Sequence, residues 1–372
     1  MKLVAKTFGG LEPILAEELK QIGAENINPL TGAVEFEGDK RVLYRANLEL
    51  RTALRILYPI ASFRARNEEH LQESIYDIEW SRYMKKDDTL AIDVVSNTEY
   101  FKSNGLIAMK TKDAIAEQFR SQYGERPSID TIRPTLRIHL AIIGEECEVA
   151  LDSSSDSLAK RGFDYQELDN ATNAVLAAGM ILMSGWKGER DFIDPMCGTG
   201  VILTEAAMIA YNIPPMLHRE FWSFKKWSNF DKPLWEEILA TAKSNIKSSI
   251  NAKILGFDAA FQPVRVCERN IQAVGLEGKI TVVRLAFEKQ NAYQKPVVLL
   301  SNPPFDEDMK ESASRVFYKN VGEILKKKFI GSEAWFVSQH PELGVQFGFE
   351  PSAEFELSDE DSDYKIIKYE KI

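Results

Sequence analysis

The regular alternation of apolar strand-like runs and helical segments in residues 190–338 is the feature that most constrains how this chain can fold. The pattern predicts strands at 190–194, 253–258, 280–286, 296–301 and 333–338, and helices at 200–211, 262–274 and 311–328. Because strands that alternate with helices pair in parallel, this half predicts an α/β fold with helices on both faces of the sheet. The segment NAVLAAGMILMSGW is apolar on nearly every face, so it predicts a buried helix before the first strand.

The residues before this region show a mixed pattern of strands and helices. The first 60 residues predict strand KLVAKTF, a helix ended by Gly23, strand GAVEFEG, and a helix from Arg41 to Tyr58 ended by Pro59. The next stretch predicts strands at 89–96 and 136–143, a helix at 112–123, and a core position at Trp80. The polar, loop-like segment DSSSDS predicts the main domain boundary. At the other end of the chain, AEFEL and YKIIKYE predict two final strands joined by an acidic turn.

The composition is that of an ordinary globular protein, with 44% hydrophobic and 27% charged residues. No apolar run is long enough for a signal peptide or a membrane span, so we expect a cytoplasmic protein with no membrane partner. The three cysteines and four histidines are scattered without metal-ligand spacing, which predicts a reducing environment and no metal site.

The net charge of −10 argues against a broadly basic surface, so nucleic-acid binding would need local patches. Residues 38–66 are one candidate patch, because they carry seven basic residues against two acidic ones. A solvated helix face explains the same charges equally well. The insert 212–235, rich in aromatic residues and prolines, is interpreted as a packed lid or cap, with a nucleic-acid stacking surface as the alternative.

Two acidic residues stand at predicted strand ends, where open parallel sheets bind ligands. DFIDPMCGTG places Asp194 at such an end, and Gly198 and Gly200 allow a sharp turn close to a ligand. The motif is neither G-x-G-x-x-G nor G-K-[ST], which disfavours a dinucleotide or a phosphate cradle. Asp258 ends the next strand, where a carboxylate can accept hydrogen bonds from both hydroxyls of a ribose. Together they predict a nucleoside-bearing small molecule.

The stretch SNPPF, residues 301–305, ends a third strand with acceptors and few donors. Two consecutive prolines remove two backbone N–H groups, which leaves the Asn302 side-chain oxygen and the Pro303 carbonyl as acceptors. Two converging acceptors suit an amino group, and Phe305 offers a flat face on which a base can stack. A rigid turn is the plainer alternative for N-P-P alone.

In this order, D-P-M-C-G-T-G, G-F-D and N-P-P-F resemble class I S-adenosylmethionine-dependent methyltransferases that act on amino nitrogens. GLEPILAEELKQIGA, YRANLELRTALRIL and LDSSSDSLAKRGF are similar to the ferredoxin-like and THUMP RNA-binding domains of one subfamily, the THUMP-containing bacterial rRNA guanine-N2-methyltransferases. LAAGMILMSGW and DPMCGTGVILTEAAMIAYNIPP are similar to its catalytic domain. The resemblance covers essentially the whole chain. It implies a ferredoxin-like domain at 1–60, a THUMP domain at 61–155, and a Rossmann-like methyltransferase domain with a mostly parallel seven-stranded sheet at 156–372.

The resemblance also implies methyl transfer from S-adenosylmethionine to the exocyclic N2 amine of a guanine in RNA, either 23S rRNA or a pre-ribosomal particle. The residues that would contact the cofactor are Asp194, Met196, Cys197, Gly198, Gly200, Asp258, Ala259, Phe287 and Thr172. The residues that would hold the target base are Asn302, Pro303, Pro304 and Phe305. A base in duplex RNA would have to be flipped out to reach them.

Three departures from the family pattern stand out. Ala286 replaces an acid that usually contacts the adenine amino group, Ala171 replaces a proline, and the final hairpin carries SDEDSD where basic or amide residues are usual. Two other hypotheses stay open. The same site could methylate adenine N6 or a protein glutamine, or the chain could be an RNA-binding protein whose methyltransferase domain has decayed.

Overall fold

Two β-sheets organise the part of the chain that the computed structural model describes, namely residues 1–163, 165–166, 172–303, 311–339, 347–358 and 362–372, without the side chains of 311–315. The first sheet has eight strands in the order β2-β3-β1-β4-β8-β7-β5-β6. Its strands are β1 Lys2–Lys6, β2 Glu25–Leu30, β3 Ala33–Glu37, β4 Arg55–Arg64, β5 Thr89–Asn97, β6 Ser128–Ile129, β7 Leu136–Ile143 and β8 Glu146–Asp152. Its helices are α1 Glu12–Gln21, α2 Lys40–Glu49, α3 Glu68–Tyr76 and α4 Asn104–Tyr123.

The second sheet has seven strands in the order β11-β10-β9-β12-β13-β15-β14. Its strands are β9 Phe192–Asp194, β10 Ile254–Asp258, β11 Thr281–Arg284, β12 Val298–Ser301, β13 Glu333–Ser338, β14 Ala353–Ser358 and β15 Asp363–Tyr369. The helices are α5 Ala174–Met183, α6 Val201–Ala210, α7 Lys232–Ser244, α8 Phe261–Val274 and α9 Glu311–Lys328. The five strands from β11 to β13 are parallel and β14 and β15 are antiparallel, so the predicted mostly parallel seven-stranded sheet is confirmed.

The predicted helix from Arg41 to Tyr58 is wrong in its second half. Helix α2 ends at Glu49, and β4 runs from Arg55 through Pro59 to Arg64. Strand β4 pairs with β1 on one side and β8 on the other, and this pairing on both edges outweighs the helical pattern. The proline is tolerated because the β4–β8 register shifts between Pro59 and Ala61, where a strand can lose a donor.

Strand β4 also makes the two N-terminal regions one structure, because the ferredoxin-like strands and β5–β8 lie in a single sheet joined at the β4–β8 pair. The serine-rich segment after β8 is buried against this junction. Ser153 N–H donates to the carbonyl of Ile56 at 3.0 Å, and the Ser154 hydroxyl donates to Asn47 Oδ1 at 2.9 Å. The chain therefore leaves the first sheet through a hydrogen-bonded, buried connection.

The insert 212–235 is packed, as predicted, but it does not cover the cavity described below. Trp222, Phe224 and Trp235 are buried in one cluster with Tyr44 of α2. The Tyr44 and Phe224 rings stack at 4.9 Å. No described residue of the insert lines the cavity. Through its packing against Tyr44, the insert instead braces the C-terminal half of the chain against the N-terminal half, which contains the first sheet.

The seven basic residues of 38–66 do not form a free basic surface, because each of them has a partner within the chain. Arg51 donates to the carbonyls of Met208 and Ile213, and Lys40 donates to the carbonyl of Asn229. The remaining pairs are Arg41–Glu237, Arg45–Glu49, Arg55–Asp152, Arg64–Glu146 and Arg66–Glu145. Among the described residues, no helix combines the length and the apolar character that a membrane crossing requires.

Candidate active site

A cavity of about 1510 Å³ opens at the carboxyl ends of β9, β10 and β12. Ten of the residues predicted from the sequence line it, namely Thr172, Asp194, Met196, Cys197, Gly198, Asp258, Ala259, Phe287, Asn302 and Pro303. Gly200 is not among the lining residues, and Pro304 and Phe305 lie outside the described residues. The fold therefore brings residues from five separate stretches of sequence to one place.

Asp194 ends β9 at the floor of this cavity and is only 1% exposed. Its Oδ1 accepts a hydrogen bond from the Ser301 hydroxyl at 2.7 Å and one from the Met196 N–H at 3.2 Å. Burial outweighs these hydrogen bonds and raises the pKa of Asp194 to about 7. The carboxyl group is thus close to its titration point at neutral pH.

The turn after β9 is shaped by two glycines with positive φ, Gly198 at 50° and Gly200 at 84°. Their surroundings differ. A side chain at Gly198 would meet nothing within 4 Å, whereas one at Gly200 would collide with Cys267 on α8. Gly198 therefore leaves space toward the cavity, and Gly200 allows α6 and α8 to approach each other behind it.

Asp258 at the end of β10 connects to this turn through its carboxylate. Its Oδ2 accepts a hydrogen bond from Gly198 N–H at 3.2 Å and its Oδ1 accepts one from Ala260 N–H at 2.9 Å. Each carboxylate oxygen can accept a second hydrogen bond. The partly exposed Asp258 can therefore hold the turn and still accept two ligand hydroxyls.

Asn302 follows β12 beside Asp194, because Ser301 hydrogen-bonds to that carboxyl group. The Asn302 Nδ2 group donates to Thr172 Oγ1 at 3.1 Å. Thr172 comes from the residues that lead into the buried helix α5, far away in sequence. Pairing of β12 with β9 and packing of α5 against α6 bring these two polar side chains together.

The charges around the cavity have one sign. Four carboxylates line it, and none of the described lining residues is a lysine, arginine or histidine. The four are Asp194, Asp258, Glu288 and Glu323. An anionic cavity of this kind suits a cationic ligand, such as one that carries a sulfonium and an ammonium group.

Glu288 lines the cavity, although it is not among the site residues predicted from the sequence. The end of β11 is followed by a short 3-10 turn, Phe287–Lys289, which brings the exposed Glu288 to the cavity two residues beyond Ala286. Ala286 itself also lines the cavity. An acid four residues past the end of β11 gives no signal of its own in the sequence, because only the turn after the strand brings it to the cavity.

Comparison with known proteins matches three parts of the chain to described families. Residues 164–345 match the family described as RMKL-like, methyltransferase domain. Residues 2–57 match an RlmL ferredoxin-like domain, and residues 65–152 match a THUMP domain. A Synechocystis protein named "Putative RNA methyltransferase slr0064" is 34% identical over 97% of this chain and 94% of its own length. The chain belongs to the THUMP-containing RNA methyltransferase family.

Other relatives of this methyltransferase are longer. A "Ribosomal RNA large subunit methyltransferase K/L" from Syntrophotalea carbinolica is 29% identical over 100% of the chain but only 53% of its own length. The chain thus spans about half the length of the K/L relatives. The crystal structure of SMU.472 in complex with SAH shares the fold, with a TM-score of 0.89, 24% identity, and coverage of 100% and 98% of the two chains.

A second solved structure, from Listeria monocytogenes, is named a predicted N6-adenine-specific DNA methylase. It has a TM-score of 0.87 and 25% identity, with coverage of 99% of this chain and 95% of its own. The expected class I methyltransferase fold, preceded by ferredoxin-like and THUMP regions, is therefore confirmed. S-adenosylmethionine is the cofactor of this methyltransferase, and the carboxylate-lined cavity suits its positive charge.

Proposed function

We propose that this methyltransferase acts on the exocyclic N2 amine of a guanine in RNA, in large-subunit rRNA. The observation that carries the proposal is the position of Asn302 and Pro303 at the end of β12, in the same cavity as Asp194 and Asp258. The acceptors of the N-P-P segment suit an amine with two N–H bonds. The K/L relatives, by their names, act on large-subunit rRNA, which supports the choice of RNA.

In this proposal the cofactor residues divide by the part of the ligand they would contact. Asp258 holds the ribose, and Ala259 and Phe287 flank the adenine. The groups around the methionine part are Asp194, Met196, Cys197, Gly198 and Gly200. Gly200 contributes indirectly, by letting α8 pack against the turn.

The chemistry needs positioning more than it needs a strong base. The lone pair of a guanine amine is delocalised into the ring, so the amine is a weak nucleophile until it is held out of the plane. The Asn302 side-chain oxygen and the Pro303 carbonyl accept hydrogen bonds from its two N–H groups, which aligns the lone pair and stabilises the positive charge that forms on nitrogen. When bound, S-adenosylmethionine supplies an electrophilic methyl group. The amine loses one proton to solvent as the new N–C bond forms.

The target base would lie between the Asn302–Pro303 acceptors and the ring of Phe305, with Pro304 fixing the backbone. A base within a helix cannot reach a cavity at a strand end, so it must be unpaired or flipped out. The ferredoxin-like and THUMP regions that precede the catalytic domain would hold the surrounding RNA. Binding should weaken with salt, since phosphate contacts release counterions.

The test is identification of the methylated nucleoside. The purified protein is incubated with S-adenosylmethionine and unmodified 23S rRNA, or with large-subunit particles, and the digested RNA is analysed by mass spectrometry. We expect N2-methylguanosine with the parent protein, and none with Asn302→Ala despite unchanged cofactor affinity. N6-methyladenosine as the only product would overturn the proposal.

Adenine N6 is the second candidate target. Its amine also has two N–H bonds, so the same acceptors could hold it, and the Listeria neighbour carries the name of an adenine methylase. The THUMP match favours RNA over DNA as the polymer. The nucleoside analysis separates the two bases, and parallel incubation with DNA separates the polymers.

A further inference from the structure

The amide group of Asn302 has one end occupied within the protein. Its Nδ2 donates to Thr172 Oγ1 at 3.1 Å, and both side chains are partly buried at the cavity wall. No hydrogen bond to Oδ1 is present among the described residues. One N–H of the amide is therefore used by the protein, and the acceptor Oδ1 is available to a ligand.

This arrangement matters because an asparagine amide is nearly symmetric in shape but opposite in chemistry at its two ends. A rotation by 180° would present N–H groups to the substrate, and two donors facing each other cannot form a hydrogen bond. We infer that Thr172 is a positioning residue that fixes the Asn302 amide with Oδ1 toward the target amine. The inference rests on the proposed function, because it assumes that the bound group is an amine.

Both partners are held by rigid surroundings. Asn173 caps helix α5 by accepting a hydrogen bond from Val175 N–H at 2.9 Å, which fixes the backbone next to Thr172. On the other side, Ser301 donates to Asp194 at 2.7 Å, which fixes the backbone next to Asn302. The Thr172–Asn302 bond thus joins two anchored segments, and its geometry is set before any substrate arrives.

A consequence is selectivity among possible target atoms. With one N–H of Nδ2 engaged by Thr172, the Asn302 amide presents Oδ1 to the ligand, so a carbonyl oxygen or an unprotonated ring nitrogen placed at Oδ1 gains no hydrogen bond there. The site therefore favours a nucleophile that brings its own N–H bonds. This role differs from a direct contact between Thr172 and the cofactor, which the family resemblance implies.

The experiment compares Thr172→Val, which keeps the shape and removes the hydroxyl, with Thr172→Ser, which keeps the hydroxyl. We expect T172V to lower kcat about tenfold, the value of one well-oriented hydrogen bond, and T172S to restore most of it. Calorimetric affinity for S-adenosylmethionine should stay unchanged in both variants. A loss of cofactor affinity in T172V would overturn the inference and support the direct cofactor contact.

A second measurement does not depend on turnover. In protein labelled with ¹⁵N at asparagine, the Asn302 side-chain amide signals are assigned by their loss in Asn302→Asp. Exchange of these protons with solvent should be slow in the parent protein and in T172S, and faster in T172V. Equal exchange in the parent and T172V would refute the inference. If the parent protein methylates no RNA, the proposed function fails, yet this measurement still decides whether Thr172 holds the amide.

Discussion

Asp194 combines nearly complete burial with a carboxyl group whose pKa is raised to about 7. In the unfolded chain this group titrates near pH 3.8, its ordinary value. Between these two pH values the folded state holds a proton that the unfolded state has lost, so the contribution of Asp194 to stability falls as the pH rises. Below about pH 3.8 both states are protonated, and the contribution is fully present.

We expect the free energy of unfolding to fall between pH 4 and pH 7 by up to about 1.4 kcal/mol per pH unit from this residue. Asp194→Asn, which does not titrate, should lack this slope. Denaturant unfolding of both proteins across this pH range isolates the effect. The other carboxylates contribute equally to both proteins, so their contribution cancels in the difference between the two free energies of unfolding. Parallel pH profiles would show that Asp194 is already ionised at low pH in the folded protein.

Asp258 should be decisive for cofactor affinity. Asp258→Ala removes a charged acceptor and should weaken S-adenosylmethionine binding by about ten- to a hundredfold. Because the same carboxylate accepts Gly198 N–H, Asp258→Asn is the matched control, which keeps one oxygen for the turn. Calorimetry measures the affinity of both variants for S-adenosylmethionine. Unchanged affinity in D258A would mean that the ribose is bound by another residue.

Glu288 is positioned to compensate for the missing acid at Ala286, since both line the cavity. We expect Glu288→Gln to weaken S-adenosylmethionine binding by up to about tenfold, and Ala286→Asp to recover affinity in that background. An analogue without the adenine amino group should respond to neither change. Full affinity in E288Q, or equal responses from both ligands, would mean that the adenine amino group has another partner.

At the scale of elements, the aromatic insert carries a measurable share of stability. Phe224 is 1% exposed, and its ring contacts Tyr44, Trp222, Phe230 and Trp235. Phe224→Ala should lower the free energy of unfolding by about 3–5 kcal/mol. Phe221→Ala is the control, because that ring is only partly buried and faces Arg133 and Lys226. Denaturant unfolding should separate the two variants clearly, and equal losses would argue against the bracing by Phe224.

Sequence periodicity predicted the catalytic sheet well and the N-terminal sheet less well. The predicted helix 311–328 and strand 333–338 match α9 and β13, because each alternates with neighbours in a βαβ pattern that few folds satisfy. Strand β4 was missed because its identity depends on pairing partners that lie about fifty and ninety residues away in sequence. Cavity residues at strand ends could be predicted, whereas Glu288 and the Thr172–Asn302 bond depend on a turn and on helix packing that sequence patterns do not encode.

At the scale of the whole molecule, the N-terminal half and the catalytic half share their hydrophobic cores. Phe8 and Leu11 of the N-terminal region are fully buried in the cluster that contains β9 and α6, and Leu158 is fully buried in the N-terminal cluster. Arg161, which forms a buried ion pair with Glu205 of the same half, donates to the carbonyl of Arg51 in the N-terminal region at 2.8 Å. Separation would therefore expose apolar surface and break the hydrogen bond from Arg161 to Arg51.

We expect a chain shortened to residues 158–372 to aggregate or to unfold at temperatures where the full protein is stable. Light scattering and thermal melting measure this directly. Phe8→Ala and Leu11→Ala in the full chain should each lower stability by about 2–5 kcal/mol while leaving the first sheet intact by hydrogen exchange. A soluble, monomeric fragment with parent cofactor affinity would show that the shared core is dispensable.

The β4–β8 pair, which makes one sheet of the ferredoxin-like and THUMP strands, has a geometric consequence for any RNA that these regions hold. A continuous sheet, braced to the catalytic half by the aromatic insert, behaves as a rigid arm of fixed span. The distance between the RNA segment bound by the N-terminal sheet and the nucleotide in the cavity is then fixed by the protein. An RNA whose target lies a few nucleotides nearer or farther would be bound equally well and yet left unmethylated, so the enzyme would select its nucleotide by length as much as by base identity.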